Sequence, residues 1–149
     1  MMNVTSRLRP ARPKGRHAQQ AILLFMSPSP YSIGKDQKLA VAHEMMRTNR
    51  IRHLPVLEAG KLVGLLSQRD LYFIETIKGV DREKDTVEDA MTSDTYCVKP
   101  TEPVGRVVSE MAKRRLGSAV VVDNGKVVGV FTTTDALKTL SAVLKVGRG

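Results

Sequence analysis

The sequence of 149 residues predicts an α+β fold built by duplication, and three observations predict it. The chain matches itself without a gap when displaced by 65 residues: Met26 falls on Met91, Tyr31 on Tyr96, Met46 on Met111, Arg50 on Arg115, Val56 on Val121, and Asp70 on Asp135. Each copy sets apolar residues at helical spacing ahead of two short apolar runs. In both copies a Gly-containing turn separates those runs, which is a hairpin signal. The repeated unit is about 55 residues long. The expected organisation is a disordered basic tail over 1–20, a first repeat over 21–77, a polar joint over 78–85 and a second repeat over 86–145.

Each copy opens with a short helix, Ala21–Met26 or Val87–Met91, and a brief extended piece, Tyr31–Ile33 or Tyr96–Val98. A helix follows from about Lys38 to Asn49, with Leu39, Ala42, Met45 and Met46 on one face. Its counterpart runs from about Pro103 to Arg114, where proline is tolerated in the first turn. The apolar runs are Leu54–Leu57 and Leu62–Leu66, then Ala119–Val122 and Val127–Phe131. Asn124-Gly125 is the stronger of the two turn signals. A last helix opens at Ser67 or Thr132. One copy has too few residues to cover its own sheet, so the core is expected to need both.

Net charge is +9, which on its own suggests an anionic partner. Six of those nine charges come from Arg7, Arg9, Arg12, Lys14, Arg16 and Lys35, in a stretch without any acid. The duplicated part is therefore nearly balanced. The basic tail allows a flexible solubilising segment or a weak, salt-sensitive anchor for nucleic acid or an acidic partner, and it resembles a transit peptide. Nucleic acid is not the expected partner, because aromatics are 4% and Trp is absent. A single cysteine, Cys97, excludes an intrachain disulfide and fits a reducing, cytoplasmic setting. No apolar run reaches 18 residues, so no membrane partner is expected.

The stretches IRHLPVLEAGKLVGLLSQRDL and GSAVVVDNGKVVGVFTTTDAL, each a hairpin ending in G-h-h-[ST]-x-x-D before a helix, resemble the CBS domain. Two in tandem resemble a CBS pair, or Bateman module, packed with pseudo-two-fold symmetry in β-α-β-β-α units. The resemblance covers residues 21–144. It implies a non-catalytic regulatory module that holds an adenosine ligand (AMP, ADP, ATP or S-adenosylmethionine) in the cleft between repeats. It also implies a homodimer and an effector protein that receives the signal.

Ser67 with Asp70, and Thr132 with Asp135, have the spacing of a helix capping box, worth roughly 1 kcal/mol. A helix N-terminus also favours an anion, and the hydroxyls of Ser67, Thr132, Thr133 and Thr134 can donate to phosphate; the resemblance places both aspartates on ribose. Arg52 and His53 have Gly117 and Ser118 in the matching places. They read either as a basic helix-to-strand turn or as a phosphate clamp. The resemblance pairs Arg52 and His53 with Asp135 across the cleft as the tighter site, leaving Asp70, Ser67 and Arg69 to face Gly117 and Ser118. It also places the backbone of Ile33 and Val98 on adenine, while their side chains read as core.

Tyr31 and Tyr96 read as core or pocket rim, and Cys97 as a buried small residue. Lys113-Arg114-Arg115 reads as a helix end or a cleft rim. His43-Glu44 fails the zinc-protease pattern, because position 47 is arginine. Three scattered histidines give no metal spacing, and neither a catalytic residue, a metal site nor a cofactor is expected. The expected function is a sensor of AMP or ATP. The rivals are a dimerisation module with degenerate sites and a basic-tail nucleic-acid binder regulated by the pair.

Overall fold

The computed structural model describes residues 16–144. The elements in chain order are β1 (Ser27–Pro28), β2 (Ile33–Gly34), α1 (Leu39–Asn49), β3 (His53–Glu58), β4 (Lys61–Ser67) and α2 (Gln68–Ile74). Then come α3 (Val87–Ala90), β5 (Cys97–Val98), α4 (Val104–Arg114), β6 (Ser118–Asp123), β7 (Lys126–Thr132) and α5 (Thr133–Val143). One sheet has the order β2-β3-β4 and the other β1-β7-β6-β5. In each, a short leading strand runs parallel to a hairpin, β2 to β3 and β5 to β6. This is the α+β duplication expected.

Local sequence accounts for the regular pieces. Both hairpins turn on two residues with positive φ, Ala59 (50°) and Gly60 (78°), then Asn124 (50°) and Gly125 (78°). That is the twist-matching turn that joins antiparallel strands most tightly. Helices α1 and α4 end alike, on Arg50 and Arg115 in the left-handed region, whose N–H groups meet the last-turn carbonyls. Pro55 breaks the likeness between the sheets. Val120 N–H donates to the Tyr96 carbonyl at 2.9 Å, and Pro55, its counterpart, has no N–H to give Tyr31.

The two copies trade their opening segments. Ile22, fully buried, belongs to the core of Val98, Val104, Val107, Met111, Ala119, Val121 and Phe131. Its counterpart Val87, also fully buried, belongs to the core of Ile33, Leu39, Ala42, Met46, Leu54, Val56, Leu66 and Leu71. The backbone repeats the exchange bond for bond. Ile22 N–H donates to the Glu102 carbonyl and Val87 N–H to that of Gln37, both at 2.8 Å. Val104 N–H donates to Gln20 at 2.8 Å and Leu39 N–H to Asp85 at 3.0 Å. Met26 and Met91 lie over Gly129 and Gly64, where a Cβ would collide with the sulfur. The expected mutual dependence thus takes the form of two cores, each closed by a piece of the other copy.

Five readings change. Arg16–Gln19, assigned to the tail, form a 3-10 turn against α4, where a Cβ on Gly105 would stand 2.8 Å from the Ala18 carbonyl. The rest of that tail, residues 1–15, lies outside the described residues. The first opening helix is a single 3-10 turn, Ile22–Leu24. Strand β1 was not expected; Ser27 and Pro28 pair with Val130 and Gly129 of β7. Cys97 is exposed rather than buried, because strand alternation turns Val98 inward and Cys97 outward. Lys35, counted with the tail's charges, is paired with Glu58 at 3.0 Å and Glu88 at 3.7 Å.

Candidate functional site

A cleft of about 710 Å³ lies between the repeats. Antiparallel pairing builds one wall, since His53 at the start of β3 stands opposite Ser67 at the end of β4. Arg52 and His53 are therefore neighbours of Ser67, Arg69 and Asp70 by sheet register alone. The facing wall comes from the second repeat, through Arg115, Gly117, Ser118 and Thr133. Thr92, Asp94, Thr95 and Tyr96 complete it. They reach it because Thr92 bridges to Leu65 of β4, with N–H···O bonds of 2.9 Å in both directions.

The two hairpin starts meet in the cleft. A Cβ on Gly117 would lie 3.4 Å from His53 Nε2, so the small residue leaves room for the imidazole. Behind each start, a carbonyl receives the first N–H of the following helix: Gln68 to Arg52 at 2.8 Å and Thr133 to Gly117 at 3.0 Å. Burial holds the His53 imidazole below its usual pKa; Asp70 pulls it up and Arg52 adds to the depression. Tyr96 is held above the usual phenol range, by burial first. The Arg114 guanidinium lies 5.3 Å from its ring centre.

The two capping boxes both form, but their carboxylates differ. Asp70 is half-buried, and its Oδ2 accepts from Ser67 N–H at 2.8 Å. Among the described residues no hydrogen bond reaches its Oδ1. Asp135 is only 7% exposed. Its Oδ2 accepts from Thr132 N–H at 2.9 Å and Thr132 Oγ1 at 3.1 Å. Ser27 Oγ spans both of its oxygens, at 3.1 and 3.3 Å.

A CBS-domain profile matches residues 21–74 and again residues 87–142. The chain belongs to the CBS-domain family. As a CBS pair it is 25% identical to that of protein MJ0100, solved with 5′-methylthioadenosine and S-adenosyl-L-methionine, at a TM-score of 0.75 over 83% of this chain and 98% of that one. It shares its fold with CBSX2, solved in complex with AMP, at 22% identity and a TM-score of 0.72 over 84% and 98% of the two chains. It is also 30% identical to L-aspartate semialdehyde sulfurtransferase of Methanocaldococcus jannaschii over 74% of this chain and 21% of that protein. The chain thus spans about a fifth of the length of the first curated relatives it matches.

Of the residues singled out in the sequence of this CBS pair, Arg52, His53, Ser67, Arg69, Asp70 and Thr133 line the cleft. Thr132, Thr134, Asp135, Ile33 and Val98 do not line it; Ile33 and Val98 have their side chains in the two cores. In this cleft Arg52 and His53 stand beside Asp70, and Asp135, expected to share a site with them, is not in its lining. Sheet register sets them beside their own repeat's aspartate, and Ser27 covers the other. Of the basic helix end, Arg115 lines the cleft and Arg114 sits on Tyr96. Thr92, Asp94 and Thr95 were missed, because nothing in the sequence shows the exchange that carries them there. Among the described residues no three His, Cys, Asp or Glu side chains form a metal-holding group, and no helix is long and apolar enough to cross a membrane.

Proposed function

We propose that this CBS pair is a non-catalytic regulatory module that binds an adenine nucleotide in the cleft beside Asp70 and reports its occupancy to a partner protein. The observation that carries this reading is Asp70, whose Oδ1 receives no hydrogen bond among the described residues, in the lining of a cleft that also holds Arg52, His53, Arg69 and Arg115. A carboxylate acceptor suits a ribose diol, and guanidinium groups suit phosphate. Ser67 and Thr133 add hydroxyls, and Tyr96 offers an aromatic edge. The ligand-bound MJ0100 pair supports an adenosine-type ligand. The role originally given to Asp135, with Thr132 and Thr134 and the backbone of Ile33 and Val98, belongs on this reading to a secondary half-site.

Signalling requires that the ligand bind one arrangement of the repeats or protomers better than another. The exposed apolar side chains Phe73, Leu137, Leu140 and Leu144, on and beside α2 and α5, suit a homodimer interface. Calorimetric titration with AMP, ADP and ATP tests the nucleotide reading. Micromolar or weaker binding is expected, with Asp70→Asn weakening it at least tenfold, in line with losing a hydrogen bond to a charged group. Absence of heat and of any thermal shift with all three at millimolar concentration refutes it. Sedimentation of Phe73→Glu and Leu140→Glu variants tests the dimer; a wild-type monomer refutes that part.

A further inference from the structure

The two repeats are equivalent in backbone at the very place where their aspartates differ. Displacement by 65 residues carries Ser27 onto Thr92 and Leu65 onto Val130, and Ser27 pairs with Val130 as Thr92 pairs with Leu65. Yet Ser27 Oγ donates to both oxygens of Asp135, while no hydrogen bond joins Thr92 to Asp70 among the described residues. With the Thr132 amide and hydroxyl, Asp135 has three donors on one carboxylate at 7% exposure. A ribose diol needs that same carboxylate as acceptor and meets the Ser27 hydroxyl already on both of its oxygens. Ser27 is held in place by β1, which Ser29 N–H extends along β7 with a 3.1 Å bond to Val128. Met26, the residue before Ser27, is lodged over Gly129.

We infer that Ser27 is a built-in latch that keeps the Asp135 half of the pair closed, so that the chain takes one adenosine-type ligand, at Asp70, rather than two. The ligand count rests on the nucleotide reading above; the latch itself does not. The opening segment supplied in exchange to the second repeat thus acts as an occupant of that repeat's acceptor, whereas the segment supplied to the first repeat leaves its acceptor free.

Two measurements on the full chain test this. Calorimetry with AMP and with ATP should count one ligand per wild-type chain, and one still in Asp135→Asn. Ser27→Ala should count two, and the double variant Ser27→Ala/Asp135→Asn one again. Two ligands on the wild type, one on Ser27→Ala, or a tenfold loss in Asp135→Asn each overturn the inference. Amide hydrogen exchange without ligand tests the latch even if no nucleotide binds. Ser27→Ala should speed exchange at Ser29 and Thr132 several-fold, whereas Thr92→Ala should leave Leu65 and Ser67 unchanged. Equal protection of Ser29 and Thr132 in Ser27→Ala and wild type overturns it, and absence of ligand heat alone refutes only the nucleotide reading.

Discussion

His53 is the residue whose chemistry is most constrained by its surroundings. Burial between two hairpin starts keeps its imidazole neutral further into acid than a free histidine. The unfolded chain then binds a proton that the folded one refuses, so stability is full above the unfolded value of about 6.5 and falls as pH drops from there toward the lower folded value. His53→Gln should flatten the acid side of the stability curve, measured by thermal melting between pH 5 and 7.5. A phosphate placed in the cleft favours the charged imidazole. Nucleotide affinity should therefore rise as pH falls from 7.5 to 6, with proton uptake on binding, and the variant should lose both effects. Persistence of the same proton uptake in His53→Gln would assign it to another group.

At the scale of elements, the duplication supplies its own controls. The left-handed first turn position is Asn124 in one hairpin and Ala59 in the other, and alanine bears that conformation poorly. Ala59→Gly or Ala59→Asn should stabilise by about 0.5–1 kcal/mol, and Asn124→Ala should destabilise by a similar amount, read from urea midpoints. Helices α1 and α4 and both hairpins were legible in the sequence, because periodicity and turn chemistry are local. Strand β1 was not, since two residues of Ser-Pro carry no strand signal and their partner is far away in the chain. The site divides the same way. The Arg52-His53 pair and the capping boxes stood out as motifs, with Ser67 and Asp70 named among them. The contact of Ser27 with Asp135 was not legible, because it joins residues 108 apart in the chain. Asp94 and Thr95 reach the cleft through the exchange, and a repeat reads identically whichever sheet its opening segment joins.

For the whole molecule, the exchange makes the two cores one cooperative system. Ile22→Ala should cost about 2–5 kcal/mol, the range for emptying a fully buried aliphatic site. The loss should appear in a single unfolding transition seen alike by probes in both repeats. Two separate transitions would show that the exchanged segments do not couple the halves. A chain beginning at residue 21 should melt below one beginning at residue 16, since it lacks the Gln20 carbonyl that receives Val104 N–H and the Ala18 contact on Gly105. Any test of nucleic-acid binding by the basic tail is therefore best made with residues 16–20 retained.

The same exchange sets an order of events during synthesis. A ribosome making this chain releases Ile22, Phe25 and Met26 long before the strands that cover them, for roughly one hundred residues separate Ile22 from Phe131. The first sheet can close once Val87 has emerged, while the second waits for β7 and then draws back a segment made roughly one hundred residues earlier. Throughout that interval the early segment lacks its final cover, and the last of the described strands to appear is the one that shelters it.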